Sequence, residues 1–236
     1  MKLFTLEASL IRGTSVVLPD QVVRADVRIR GGRIVAIGPE MLPEPGETCI
    51  SGEGRYLLPG FIDIHNHGAQ GFDASLGCYR AETDSFEPNE NAFQAGLAEA
   101  FAFYHRQGVT RVLPTSLAAP VADLLLSFGQ IAAFATNPDQ PLRHMIAGIN
   151  LEGTFIKDPA YAGAQNSAYF CALDRGLFAR LQAAADGRIR IVNLPPEHGY
   201  EGCAFTRYLC EQGVAVAGGG EAATPGPVDP AAEGGD

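Results

Sequence analysis

The sequence has no block of Lys or Arg anywhere: 17 basic residues are scattered among 27 acidic ones, for a formal net charge of −10. A protein that neutralises nucleic-acid phosphates carries a basic footprint, so nucleic acid is excluded as a partner. No stretch approaches the roughly 18 consecutive apolar residues that would cross a bilayer, so no membrane role is expected. The segment Met1 to Thr5 also lacks the apolar core and small-residue cleavage site of a secretory signal. The cytoplasm is the expected address. Five cysteines, Cys49, Cys78, Cys171, Cys203 and Cys210, form no Cys-x-x-Cys pair, which argues against a zinc ribbon or a redox motif. They are expected to be reduced and mostly buried. No Gly-x-Gly-x-x-Gly follows the first buried strand, which counts against a dinucleotide-binding sheet.

What is present is ample apolar material: 46% of the 236 residues are hydrophobic and 19% charged, enough for one or two domains with real cores. From Leu6 to about Ile50, short β-branched runs alternate with turn signals, and Gly31-Gly32 is placed to close a hairpin between Val22–Ile29 and Arg33–Gly38. The run Tyr56 to Ile64 then reads as a strand buried on both faces. After it, helical spacing over Asn91–Gln107, Val121–Ala135, Asp174–Ala185 and Phe205–Gln212 alternates with strands at Val109–Thr115, Met145–Leu151, Ile189–Leu194 and Val214–Val216. That alternation predicts βαβ units around a parallel sheet, with a barrel favoured. The expected organisation is a β-sandwich part at 1–57, barrel units at 58–217, and a Gly, Ala, Pro and acid-rich tail at 218–236 that is too poor in apolar residues to order itself.

Two imidazoles, His65 and His67, close the first buried strand in Asp63-Ile64-His65-Asn66-His67-Gly68. At i and i+2 on a strand they face the same way, and imidazole is the commonest side-chain ligand for zinc. The pair reads equally well as two hydrogen-bonded histidines. Glu152 ends the apolar strand Ile146–Leu151, where a carboxylate would face a barrel mouth. It could instead pair with a nearby Lys or Arg.

Gly31 to Gly38, together with Leu58-Pro59-Gly60-Phe61-Ile62-Asp63-Ile64-His65-Asn66-His67-Gly68, resembles the opening of the amidohydrolase superfamily. The resemblance narrows to the N-acetylglucosamine-6-phosphate deacetylases through four segments. These are Gly108-Val109-Thr110 with Leu113-Pro114-Thr115, Asn150-Leu151-Glu152-Gly153-Thr154-Phe155-Ile156, Gly163-Ala164-Gln165-Asn166, and Asn193-Leu194-Pro195-Pro196-Glu197.

The resemblance implies a metal-dependent (β/α)₈ barrel hydrolase of the TIM type beside a β-sandwich domain, hydrolysing the N-acetyl group of an amino-sugar phosphate. It makes Glu152, His65 and His67 metal ligands, with zinc foremost among divalent ions and iron or manganese as alternatives. Ala164 and Gln165 become contacts to the sugar substrate, and a homodimer is implied for the complete enzyme. His144 and His198 match no motif and are expected to be structural or exposed; His105, late in a helix, is expected to serve that helix's C-terminal carbonyls.

Where the family carries Gly-His-Ser or Gly-His-Thr, this sequence reads Gly218-Gly219-Gly220, and the family's general-base Asp has no counterpart. At roughly 30 residues per βα unit, five or six barrel strands fit, so an incomplete barrel is expected. The competing readings are an amidohydrolase acting on a cyclic amide or dipeptide, and a catalytically inactive fragment or binding module.

Overall fold

The computed structural model describes residues 8–87 and 89–218. It divides into two compact units, Met1–Gly60 and Phe61–Asp236. Apart from Gly218, the expected tail at 218–236 lies outside the described residues.

In the first unit, β1 (Ala8–Val17) pairs antiparallel with β2 (Val22–Arg30), and β2 with β3 (Arg33–Gly38). Gly31 and Gly32 both take positive φ, 56° and 72°, as the two-residue turn between β2 and β3 demands. Two further strands, β4 (Thr48–Ser51) and β5 (Tyr56–Leu57), run parallel to β1 and complete a sandwich-like five-stranded sheet. Alternation along β1 and β2 buries Val16, Ala25 and Val27 on one face.

The second unit begins with β6 (Phe61–Asn66). The expected strand from Tyr56 to Ile64 is therefore interrupted: Leu58-Pro59-Gly60 separates β5 from β6, Pro59 having no N–H to give a ladder. Nor is β6 buried on both faces. It pairs with one strand only among the described residues, which leaves Phe61 56%, Ile62 65% and Ile64 54% exposed.

A short antiparallel meander follows, β7 (Gly68–Ala69), β8 (Phe72–Asp73), β9 (Gly77–Arg80) and β10 (Ser85–Glu87). Sequence patterning had no purchase on it, because strands of two to four residues show no alternation.

Helix α1 (Glu90–Arg106) is capped by Asn89, whose side chain accepts the Ala92 N–H. Its stripe Phe93, Leu97, Ala100, Phe101 and Tyr104, spaced as one helical face, is buried. Next come β11 (Val109–Pro114), α2 (Val121–Thr136), β12 (Ile149–Leu151), α3 (Arg175–Ala184), β13 (Ile189–Asn193), α4 (Gly199–Glu211) and β14 (Ala215–Ala217).

Expected boundaries shift in two places. The strand expected from Met145 begins only at Ile149, since Arg143–Met145 forms a 3₁₀ turn. Helix α4 starts six residues before Phe205, with Pro195 and Pro196 leading into it through the 3₁₀ turn Pro196–His198.

All five longer-range strands of this unit are parallel. β6 pairs with β11, bridges at Val112–Ile146 and Thr115–Asn150 carry β11 to β12, and β12, β13 and β14 follow in order. The array is open among the described residues, with β6 and β14 at its edges. Phe128, Ile131, Met145, Ile149, Phe178 and Leu181 fill the space between strands and helices; each such side chain contributes roughly 1.5–3 kcal/mol on burial. No helix among the described residues is long and apolar enough to cross a membrane.

The cysteines depart from expectation. Cys49, Cys203 and Cys210 are exposed, and Cys78 and Cys171 half-buried, all as free thiols. Cys203 and Cys210 lie seven residues apart on the solvent side of α4, because Gly202, Phe205 and Leu209 claim its inner face.

Candidate metal centre

Two consecutive hydroxyl residues just past β11 hold the strand ends of the site together. Thr115 Oγ1 accepts the Asn66 N–H at 2.8 Å, and the Thr115 N–H returns a bond to the Asn66 carbonyl at 2.9 Å, fixing β6. Ser116 faces the other neighbour: its Oγ accepts the Glu152 N–H at 3.0 Å, and its own N–H reaches the Asn150 carbonyl at 3.0 Å. A second tie crosses the array. Asn193 donates to Asn150 Oδ1 at 2.7 Å, and Asn150 donates to the Ile64 carbonyl at 3.0 Å. Thr115, Ser116, Asn150 and Asn193 are all buried, so their hydrogen bonds carry the weight that water would otherwise carry.

Asn66, between the two histidines, is held on every polar atom. Its Nδ2 donates to Asp63 Oδ2 at 2.8 Å, and its Oδ1 accepts the Tyr104 hydroxyl at 2.6 Å and the Gly68 N–H at 3.0 Å. Burial raises the Tyr104 phenol above its usual range, and the carboxylates of Asp63 and Asp73 push the same way. Burial likewise raises the Asp73 carboxyl, against two backbone N–H bonds from Ser75 and Leu76 and the nearby His67.

His67 Nδ1 lies 3.1 Å from the Thr115 carbonyl, which can only accept, so Nδ1 carries a proton and, in the neutral ring, Nε2 is the lone-pair nitrogen. That Nε2 lies 3.5 Å from Glu152 Oε2, and His65 Nε2 lies 2.6 Å from the same oxygen. The three potential ligand atoms fall within 4.8 Å of one another. Oε2 is buried and has no hydrogen-bond partner, and its short contact with His65 Nε2 becomes an ion pair only if that ring is protonated. An unpartnered buried carboxylate oxygen facing two imidazole nitrogens is a donor set suited to a divalent cation, and three protein ligands with an open fourth position is the catalytic pattern for zinc.

The site residues expected from sequence are thus distributed as follows. His65, His67 and Glu152 come together from the ends of β6 and β12. Ala164 is exposed on the loop between the 3₁₀ turns Pro159–Tyr161 and Ser167–Tyr169. Gln165, on the same loop, turns inward: its Nε2 donates to Glu152 Oε1 at 3.2 Å and its Oε1 accepts the Ala118 N–H at 2.6 Å. No Lys or Arg among the described residues pairs with Glu152, so the ordinary ion-pair reading of that carboxylate falls away.

His198 is buried with Nε2 2.6 Å from the Phe155 carbonyl, His144 is exposed, and His105 lies in the last turn of α1. Sequence reasoning missed the supporting roles of Asn66, Thr115, Ser116, Asn150 and Asn193. Their signal is a polar residue at the end of an otherwise apolar strand, which must find a partner once buried.

No family model matches the sequence. The N-acetylglucosamine-6-phosphate deacetylase of Bacillus subtilis is 29% identical over 194 residues, covering 81% of this chain and 45% of that protein. An adenine deaminase of Deinococcus radiodurans is 47% identical over 60 residues, 25% of this chain and 11% of its own. Among solved structures, a variant N-acetyl-D-glucosamine-6-phosphate deacetylase of Mycobacterium smegmatis, in complex with N-acetyl-D-glucosamine-6-phosphate, superposes with a TM-score of 0.67 at 25% identity, over 90% of this chain and 50% of that one.

An open parallel β/α array with His-x-His ending its first strand, matched in this way, resembles the amidohydrolase class of proteins. Within that class the chain is a homologue of the N-acetylglucosamine-6-phosphate deacetylases over most of its length. It spans about half the length of those relatives.

Proposed function

We propose that His65, His67 and Glu152 hold a divalent cation, zinc first, in a site whose reaction is hydrolysis of the N-acetyl group of N-acetylglucosamine 6-phosphate. The observation that carries this reading is the buried, unpartnered Glu152 Oε2 facing two imidazole nitrogens. A cation bound there would polarise an amide carbonyl and make water a better nucleophile near neutral pH.

The chain's own residues would do the rest of the positioning. Thr115 keeps a His67 proton on Nδ1, so that in the neutral ring the Nε2 lone pair is left to a cation. Ser116 holds the Glu152 backbone against β11, and Asn66 locks the turn between the histidines. Ala164, exposed beside Gln165, is the loop position offered to the sugar, through its backbone groups. The division at 1–57 and 58–217 is retained as our proposal for the two domains.

Incubating the 236-residue protein with zinc and N-acetylglucosamine 6-phosphate, alongside hydantoin and adenine, tests the proposal. Acetate release above that of Glu152→Ala is the expected result, slow because water must carry the proton to the leaving nitrogen where the family's general-base Asp has no counterpart. Preference for hydantoin or adenine would move the assignment to another amidohydrolase chemistry, a reading that the 47% match over 60 residues to an adenine deaminase keeps in play. Saturable sugar-phosphate binding without acetate release would favour a binding role.

A further inference from the structure

We infer that Gln165 is a positioning residue that assigns the two oxygens of Glu152 to separate tasks, one to the protein and one to the cation; the inference rests on the metal-site reading above. The orientation of the Gln165 amide is fixed by its neighbours. A backbone N–H can only meet an acceptor, so the 2.6 Å contact with the Ala118 N–H identifies that end as Oε1 and turns the NH₂ group to Glu152. Nε2 then donates to Glu152 Oε1, and Oε2 alone remains facing His65 and His67.

The chemistry of the donor matters. A neutral amide occupies one carboxylate oxygen without neutralising the group, so the carboxylate keeps its charge, shared over both oxygens, for a cation at Oε2. An Arg in the same place could take both oxygens, and either Arg or Lys would compete with the cation through its charge.

A separate observation shows that the chain is shaped around this clamp. Gly153, directly after Glu152, has φ of 82°, and a Cβ there would run into the Ala118 nitrogen and lie 2.5 Å from Gln165 Oε1. Only glycine leaves room for the Gln165 carbonyl between the β12 and β11 connections. The Glu152-Gly153 dipeptide and Gln165, 13 residues on, are therefore one device.

Cobalt(II) binding by the chelator-treated 236-residue protein tests this, with affinity from calorimetry and coordination from the visible spectrum. Gln165→Leu should weaken cobalt roughly 10-fold, the loss expected when a group orienting a ligand is removed. It should also lower the absorption per bound ion, since a freed carboxylate can offer both oxygens and raise the coordination number. Gln165→Asn, one methylene shorter, cannot span Ala118 and Glu152 together; it should act in the same direction while keeping a polar amide, which guards against a folding defect in the Leu variant. Glu152→Gln should abolish binding. If both Gln165 variants keep wild-type affinity and spectrum while Glu152→Gln loses cobalt, the clamp is overturned and the metal site stands. If Glu152→Gln leaves cobalt binding intact, the metal site itself is overturned, and the clamp with it.

Discussion

Glu152 Oε2 lies 2.6 Å from His65 Nε2, a contact that is an ion pair only when the imidazole is protonated. In metal-free protein with both rings neutral, this arrangement leaves a buried carboxylate oxygen without a hydrogen-bond partner, which costs free energy. Glu152→Gln removes the charge and retains the shape, so in chelator-treated protein it should leave stability unchanged or raise it by about 1 kcal/mol. Urea denaturation measures this. A destabilisation beyond 1 kcal/mol would mean that the carboxylate serves the fold and is not held strained for a ligand.

The asparagine relay makes a second prediction. Asn193→Ala leaves Asn150 Oδ1 buried without its 2.7 Å donor, at a cost of about 1–3 kcal/mol. Asn150→Ala frees two partners, the Asn193 amide and the Ile64 carbonyl, and should cost more than Asn193→Ala. Equal or negligible losses in urea melts would show that the relay does not tie β6 to β12 and β13.

Tyr104 should contribute to the alkaline limb of the stability curve. Its folded pKa is raised, by burial first and then by Asp63 and Asp73. A raised folded value means that the phenol's contribution is fully present below the unfolded pKa of about 10 and is lost as pH climbs from there through the folded value. Tyr104→Phe should cost about 1 kcal/mol at pH 8, for the hydrogen bond to Asn66, and its stability should then fall less steeply above pH 10 than the wild type's. Identical slopes would remove Tyr104 from the alkaline transition.

Much of this architecture is legible in the sequence, for identifiable reasons. The α1 stripe from Phe93 to Tyr104 has a period that only a helix satisfies, and Gly31-Gly32 has the turn chemistry of a hairpin. His65, His67 and Glu152 are visible because titratable residues stand at the ends of apolar strands. The 68–87 meander is not visible, since its strands are too short for a period. The exposure of β6 escapes for a different reason: Phe61, Ile62 and Ile64 are as apolar as a buried strand, and only pairing decides what covers them. The inward turn of Gln165 escapes because its two partners, Ala118 and Glu152, are 47 and 13 residues away in sequence.

The central claim is that His65, His67 and Glu152 form one cation site, and thermal melts of chelator-treated protein with and without zinc test it most directly. Zinc that binds the folded state alone stabilises by mass action, about 2.7 kcal/mol at a hundredfold excess over its dissociation constant. The midpoint should rise saturably in wild-type protein and in Cys203→Ser and Cys210→Ser, whose thiols are exposed and remote in role. His65→Ala, His67→Ala and Glu152→Ala should each reduce or abolish the rise. A rise that survives all three substitutions and disappears with the cysteines would place the metal on thiols and contradict the site described here.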